Sequence, residues 1–251
     1  MSRYGYSRAM EHETVFVHGL GQSATSWEPV VEHVTGAVAY DVRGFGQAPL
    51  GEAEGTLEQL GQDLVEVMER TEARTAVGFS LGGMIVLWAA AYRPELFDRI
   101  VVMATSSVVG ARAADYYLKR AELVDHPTQF FEMLTQDTRN MVCHDTVDVE
   151  SLTAQRVEDI GQGAGFANAA RAVASVGSSL HEQLDRITAE VHVVSAAKDQ
   201  LCSSKATEIL LEALPQAEHT VIEQAGHLML IDQPEATLQA LDVALGYASA
   251  R

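Results

Sequence analysis

A serine lies within a glycine-rich segment, Gly78-Phe79-Ser80-Leu81-Gly82, that matches the pattern G-x-S-x-G. A short apolar run precedes the segment and an apolar helical stretch follows it. That is the setting of a nucleophilic serine on a sharp strand-to-helix turn. Glycines are expected on both sides, because neighbouring backbone passes close to such a turn. The simpler alternative is a glycine-rich turn in which the serine only caps the helix.

A serine hydroxyl needs a base to accept its proton and an acid to orient that base. Asp199 and His227 have suitable types, and each directly follows one of the last two predicted strands. Gly226 allows the loop before the histidine to turn sharply. Asp185 is a rival acid, but it precedes its strand. The order therefore predicts a catalytic set of Ser80, Asp199 and His227.

These residues need a scaffold that brings strand ends together. Six apolar runs, rich in β-branched residues, read as strands: 14–17, 38–40, 76–77, 99–104, 191–195 and 219–222. Helical patterns alternate with them over 26–34, 57–70, 81–92, 204–214 and 234–248. Such alternation predicts a parallel sheet with helices on both faces. The carboxyl ends of parallel strands share one edge, where sites form.

The alternation breaks between residues 105 and 187, which contain no convincing strand and read as several helices. We interpret this block as an insertion that forms a lid. The predicted division is a core of residues 1–104 and 188–251 and a helical lid of residues 105–187. A flexible hinge in the lid is expected at three glycines, Gly161, Gly163 and Gly165.

Three further segments, taken with the serine motif in their order along the chain, carry a resemblance to a known family. They are Val15-Phe16-Val17-His18-Gly19-Leu20-Gly21, Asp41-Val42-Arg43-Gly44-Phe45-Gly46, and Gly226-His227 followed by Gln233-Pro234-Glu235. With the serine motif, they resemble the α/β-hydrolase superfamily from Val15 to about Tyr247. The resemblance implies an α/β fold with a mostly parallel, doubly wound sheet of six to eight strands and a helical lid after the fourth predicted strand.

The same resemblance implies roles for other residues. The backbone N–H groups of Leu20 and Leu81 would form the oxyanion hole, while His18 and Arg43 would stiffen the surrounding loops. The substrate pocket is expected to use four aromatic residues: Trp27, Tyr116, Phe130 and Phe131.

Small esterases and enol-lactonases are the members that the sequence resembles most. We therefore expect a serine hydrolase that cleaves a small carboxylic ester or lactone through an acyl-enzyme on Ser80. Alternatives are a carbon–carbon bond hydrolase or a menaquinone-pathway-type lyase using the same residues, and a non-catalytic ligand-binding protein on this fold. An inward-pointing lid arginine would favour carboxylate-bearing substrates, and the candidates are Arg139, Arg156 and Arg171.

Composition limits the possible partners. The 251 residues include 35 acidic and 17 basic side chains, a formal net charge of -18. This balance argues against binding nucleic acid or an anionic membrane through a basic face. The expected partner is a small-molecule ester or lactone, and the expected assembly is a monomer or homodimer.

The remaining expectations concern compartment and cofactors. No secretory signal is visible in Met1 to Met10, so we expect a cytoplasmic protein in which Cys143 and Cys202 stay reduced. Neither a metal nor a cofactor is expected, because the histidines lack metal-ligand spacing and no dinucleotide fingerprint follows a strand.

Overall fold

The computed structural model describes residues 14–247, so the stretch Met1 to Met10 and its predicted lack of a secretory signal lie outside the described part. Six strands form one sheet: β1 (Thr14–Val17), β2 (Ala37–Tyr40), β3 (Thr75–Phe79), β4 (Arg99–Met103), β5 (Glu190–Ala196) and β6 (Glu218–Ile222). Every neighbouring pair is parallel. The predicted strands all exist, and their ends differ by at most two residues.

The strand order is β2-β1-β3-β4-β5-β6. The chain moves outward from β1 to β2 and then returns to the other side of β1 for β3. The order therefore reverses between β1 and β3, which pair in register from Thr14 with Thr75 to Val17 with Gly78. Open α/β sheets place their sites outside the carboxyl ends of strands at such a point.

Both faces of the sheet are covered. Residues of β4 alternate between two cores: Ile100 and Val102 pack on one side, and Val101 and Met103 pack on the other. All four side chains are fully buried. Central strands buried on both faces explain why these runs are apolar throughout instead of alternating with polar residues.

Ten α-helices lie in the described part of the chain: α1 (Glu28–Val31), α2 (Leu57–Thr71), α3 (Leu81–Tyr92), α4 (Ala111–Leu123), α5 (Pro127–Met141), α6 (Val149–Ile160), α7 (Ala164–Ser175), α8 (Ser204–Ala213), α9 (Met229–Asp232) and α10 (Pro234–Leu245). The predicted helix over 26–34 is instead a 3₁₀ turn, Ala24–Trp27, followed by the short α1. Helix α10 ends earlier than predicted because Gly246 adopts a left-handed conformation (φ 78°).

Helices α4 to α7 lie between β4 and β5, in the block where the sequence shows no strand. One predicted detail is corrected there. Gly165 lies in the first turn of α7, where a Cβ would overlap the backbone of Gly44. Close packing, rather than hinge flexibility, requires that glycine. Within residues 14–247, no helix combines the length and the apolar composition needed to cross a bilayer.

Candidate active site

Ser80 occupies the turn between β3 and α3. Its backbone has φ 53° and ψ −115°, a conformation that costs a non-glycine residue about 1–3 kcal/mol. The N–H of Ser80 donates to the carbonyl oxygen of Met103 (2.8 Å), and the hydroxyl of Thr105 donates to the carbonyl oxygen of Ser80 (2.7 Å). These bonds to the end of β4 hold the strained turn in place.

The glycines around the serine are required by close backbone packing. A Cβ at Gly78 would overlap the carbonyl group of Gly82, and a Cβ at Gly82 would overlap that of Val17 in β1. A Cβ at Gly83 would lie 2.6 Å from the side chain of Thr105. The turn therefore fits between its neighbours only with glycine at these positions.

Ser80, His227 and Asp199 form a chain of hydrogen bonds. The Nε2 atom of His227 lies 3.0 Å from Ser80 Oγ, and Nδ1 lies 2.8 Å from Asp199 Oδ2. This geometry fits an imidazole whose Nδ1–H donates to the carboxylate and whose Nε2 accepts the serine proton. The side chains of His227 and Asp199 are 3% and 0% exposed, so water competes little for these bonds. The fold thus brings together the three residues singled out by the sequence.

The loop after β5 orients the acid. Oδ1 of Asp199 accepts the backbone N–H groups of Leu201 (2.8 Å) and Cys202 (3.0 Å). Only Oδ2 then faces the imidazole. The rival acid, Asp185, is exposed and lies in the turn before β5.

The loop that carries His227 is held by residues that the sequence analysis missed. Oδ2 of Asp232, at the end of α9, accepts the N–H of Gly226 at 2.8 Å. Both oxygens of the same buried carboxylate accept the N–H of Cys143, at 3.0 and 3.1 Å. The N–H of Leu228 donates to the carbonyl oxygen of Met141 (2.9 Å). The signal available in the sequence was an acidic residue directly after an apolar run, residues 228–231, that follows the histidine.

The backbone N–H groups of Leu20 and Leu81 have no acceptor within residues 14–247. Leu81 is the first residue of α3, where helix geometry leaves N–H groups unpaired. The loop of Leu20 is stiffened by His18, whose Nδ1–H donates to the Gly19 carbonyl (2.9 Å) and whose Nε2 accepts the Val42 N–H (2.9 Å). Complete burial lowers the pKa of His18 below its ordinary value, which favours the neutral form that these two bonds require.

Arg43 braces the neighbouring loop, as the sequence suggested. Its guanidinium makes two bonds to the carboxylate of Asp63 (2.5 and 2.8 Å) and donates to the carbonyl oxygens of Leu50 and Glu52 (both 3.0 Å). The pKa of Arg43 is raised by the hydrogen bond to Asp63.

Two cavities adjoin the site. The smaller, of about 30 Å³, contains Ser80 and His227. Its other lining residues come from both the core and the α4–α7 block: Leu20, Gln22, Phe79, Tyr116, Tyr117, Arg120, Asp137, Met141, Arg156, Phe166 and Leu228. The larger, of about 590 Å³, lies between the α1 region, α6 and α9. Four residues line both cavities: Gln22, Phe79, Arg156 and Leu228.

The four aromatic residues expected in the pocket have different locations. Tyr116 lines the smaller cavity and Trp27 lines the larger one. Phe130 is buried and packs edge-on against Phe166, with ring centroids 5.1 Å apart. Phe131, one residue later on α5, is 48% exposed. Phe130 and Phe131 line neither cavity, because one faces the interior of the helical block and the other faces solvent.

Two groups of side chains in the described part have metal-binding types close together: Asp199, Cys202 and His227, and Cys143, His144 and Asp232. In the first group, the carboxylate and imidazole already bond to each other. Burial raises the pKa of the Cys202 thiol well above its ordinary value, which disfavours the thiolate that a metal requires. In the second group, the carboxylate already accepts two backbone N–H groups.

The parallel sheet, the strained serine turn and the histidine loop after the last strand define an α/β-hydrolase fold, the class that the sequence resembles. A model of the alpha/beta hydrolase family matches residues 14–240, and the chain belongs to this family of hydrolases.

Several relatives extend over nearly the whole chain. A 3-oxoadipate enol-lactonase from Acinetobacter baylyi is 25% identical, with 96% of this chain and 91% of that protein aligned. A pimeloyl-[acyl-carrier protein] methyl ester esterase from Aliivibrio salmonicida is also 25% identical, with 96% and 94% aligned. The crystal structure of the enol-lactonase from Burkholderia xenovorans has a TM-score of 0.83 at 20% identity, covering 96% of this chain and 94% of that one. At 20% identity, the similarity to the Burkholderia xenovorans structure shows a shared fold alone.

Proposed function

We propose that this protein is a serine hydrolase that cleaves a small carboxylic ester or lactone through an acyl-enzyme on Ser80. The observation that carries the proposal is the hydrogen-bonded chain from Ser80 Oγ through His227 to Asp199. Relatives named as enol-lactonase and methyl ester esterase support this choice of bond.

The proposed reaction has two stages. Ser80 Oγ attacks the carbonyl carbon while His227 Nε2 takes its proton, and the tetrahedral intermediate then expels the alcohol oxygen, which receives that proton. A water molecule next attacks the acyl carbon and gives a proton to His227. The ester bond to Ser80 breaks, Oγ takes the proton back, and the carboxylic acid leaves. Asp199 holds the imidazole in the tautomer that both stages require.

The oxyanion of each tetrahedral intermediate is proposed to accept the N–H groups of Leu20 and Leu81. Both are unpaired among the described residues, and that of Leu81 begins α3, whose dipole favours negative charge. Losing one donor of this kind typically lowers the rate about 10²–10³-fold.

Residues 105–187 are proposed to act as the lid of this site. Seven residues of this block line the cavity that holds Ser80: Tyr116, Tyr117, Arg120, Asp137, Met141, Arg156 and Phe166. The cavity has a volume of only about 30 Å³. This small volume supports a small acyl group at the serine, and under this proposal any larger portion of the substrate extends into the adjoining cavity.

A turnover panel of p-nitrophenyl esters of acetate to octanoate and of small γ-lactones tests the proposal, with Ser80→Ala as the control. We expect hydrolysis of short esters or lactones by the wild type and a fall to the background rate in the variant, together with loss of labelling by a fluorophosphonate probe. Folded wild-type protein that the probe does not label would contradict the role of Ser80. Labelling without turnover of any ester or lactone would instead favour carbon–carbon bond or lyase chemistry.

A further inference from the structure

Arg156, on α6, is a buried cation beside the candidate active site. It is 3% exposed. Its Nη1 donates to Thr138 Oγ1 (2.7 Å), its Nε donates to the carbonyl oxygen of Gly21 (3.3 Å), and its Nη2 lies 3.5 Å from that of Leu20. No carboxylate oxygen of residues 14–247 lies within 4.0 Å of its guanidinium nitrogens. The positive charge is therefore surrounded by neutral acceptors.

The other arginine at the cavity is already neutralised. Arg120 makes two bonds to the carboxylate of Asp137 (2.5 and 2.8 Å), and its guanidinium lies 3.1 Å from the ring centre of Tyr116. The hydroxyl of Tyr116 donates to the same carboxylate (3.0 Å). Asp137 is therefore paired with Arg120, and Arg156 receives only its longer-range attraction.

Asp159, another buried carboxylate of the region, bonds to neutral donors through one of its oxygens. Its Oδ1 accepts bonds from the hydroxyl of Ser23 (2.8 Å) and from the side-chain amide of Gln155 (3.2 Å). It does not form an ion pair with Arg156 among the described residues. The site thus contains a cation without a directly bonded anion.

Burying a charge without a bonded counterion lowers the stability of the folded protein, because the charge loses its hydration. Burial lowers the pKa of Arg156, but a guanidinium stays protonated in proteins. A guanidinium has five N–H donors, and three bonds account for three of them. Two donors are left for an anion.

Arg156 can reach a substrate at Ser80. It lines both the small cavity that contains Ser80 and the adjoining larger one. Gly21 permits this approach, because a Cβ there would lie 2.8 Å from Nη2 of Arg156. The net charge of -18 provides no general attraction for anions, so selection of an anionic substrate requires a local cation such as this one.

We propose that Arg156 binds a carboxylate group of the substrate, so that the preferred ester or lactone carries one free carboxylate at the end remote from the reacting carbonyl. This inference rests on the proposed hydrolase function. A purely structural role, in which Arg156 only braces the loop of Leu20 and Gly21, makes a different prediction: removing the arginine would then affect charged and neutral substrates equally.

The kinetic test uses p-nitrophenyl monoesters of succinate, glutarate and adipate, each paired with the same ester whose free carboxylate is capped as a methyl ester. The wild type should prefer the anionic member of at least one pair. Arg156→Gln should reduce that preference, measured as the ratio of kcat/KM values, roughly ten- to a hundredfold. Arg156→Lys should restore it in part, since it keeps the charge but loses the forked geometry.

Arg139→Gln is the matched control, because it removes the same charge from an exposed position of the same helical block. It should leave the preference unchanged. A wild type that hydrolyses both members of every pair equally would overturn the inference while leaving the hydrolase function intact. Equal losses on both members in Arg156→Gln would assign Arg156 to bracing alone.

A binding measurement is independent of turnover. Calorimetry with glutarate and with dimethyl glutarate is carried out on Ser80→Ala protein, with and without Arg156→Gln. We expect glutarate to bind more tightly than the diester, and we expect that difference to disappear in the double variant. Absence of turnover in the wild type combined with Arg156-dependent glutarate binding would refute the hydrolase function but keep the carboxylate site. Failure of Ser80→Ala protein to discriminate the two compounds would refute the site.

Discussion

Oδ2 of Asp232 accepts the backbone N–H of Gly226 at 2.8 Å, which anchors the loop immediately before His227. The same carboxylate accepts the N–H of Cys143, two residues after α5. One buried acid therefore connects the histidine loop with the helical block above it.

Asp232→Asn should lower kcat by about 10–100-fold, the cost expected when a reacting group shifts by an ångström, with a smaller change in KM. An amide has one acceptor oxygen, and its NH₂ group would face a backbone N–H. Kinetics at temperatures well below the melting transition measure the effect without a contribution from unfolding. Asp145→Asn, at an exposed position, is the control. Wild-type kcat in folded Asp232→Asn protein would show that the anchor does not position His227.

Asp199→Asn should reduce kcat by about 10⁴-fold, as in other Ser-His-Asp sites. The two backbone N–H groups that Oδ1 accepts would fix the amide oxygen on that side, so its NH₂ group would face the imidazole. His227 would then have to accept at Nδ1 and carry its proton on Nε2, where it could not take the serine proton. Asp185→Asn should leave kcat unchanged. A large loss of kcat in Asp185→Asn, with wild-type kcat in Asp199→Asn, would instead identify Asp185 as the acid that orients His227.

Gly82→Ala should abolish both activity and the native fold around the serine, since the added Cβ would overlap the backbone of Val17. Backbone atoms of a central strand cannot move aside as a flexible side chain can. Gly110→Ala is the matched control, because no atom lies within 4 Å of a Cβ there and its φ is −70°. The two variants are compared by thermal melting, near-ultraviolet circular dichroism and esterase turnover. A Gly82→Ala protein with wild-type melting would contradict the packing argument.

The protein should lose stability as the pH falls below about 6.5, partly because of His18. Its pKa in the folded protein is lowered by burial from an ordinary value of 6.5. The unfolded chain therefore binds a proton that the folded protein does not, and the free energy of unfolding decreases on acidification through this interval. The pKa values of His192 and His219 are also lowered by burial, so they act in the same direction.

His18→Gln should make this pH dependence shallower, because glutamine keeps an acceptor for the Val42 N–H but does not titrate. Urea unfolding at several pH values between 5 and 8 measures the slope. The slope, not the absolute stability, is the relevant quantity, since the variant also loses the Nδ1 bond to Gly19. An unchanged slope in a folded variant would contradict a neutral buried His18.

The sequence was sufficient to predict the order and position of Ser80, Asp199 and His227. Each lies shortly after a predicted strand, and parallel strands bring their carboxyl ends to one edge regardless of chain separation. The glycines at 78 and 82 were predictable for the same local reason. Strand ends differed from the prediction by at most two residues. Helix α10 ended earlier than predicted because Gly246 adopts a left-handed conformation.

Which residues of the helical block line the cavities was decided by tertiary structure alone. Neighbouring Phe130 and Phe131 face opposite environments, and an apolar helix residue does not reveal which neighbour covers it. Of three candidate arginines, only Arg156 points inward, because the packing of α6 against the loop at Gly21 places it there. Asp232 accepts hydrogen bonds from the backbone N–H groups of two segments that are distant in the chain, at Gly226 and Cys143. The succession of strands and helices along the chain follows from local pattern, whereas contacts between helices and loops depend on distances that only the folded chain defines.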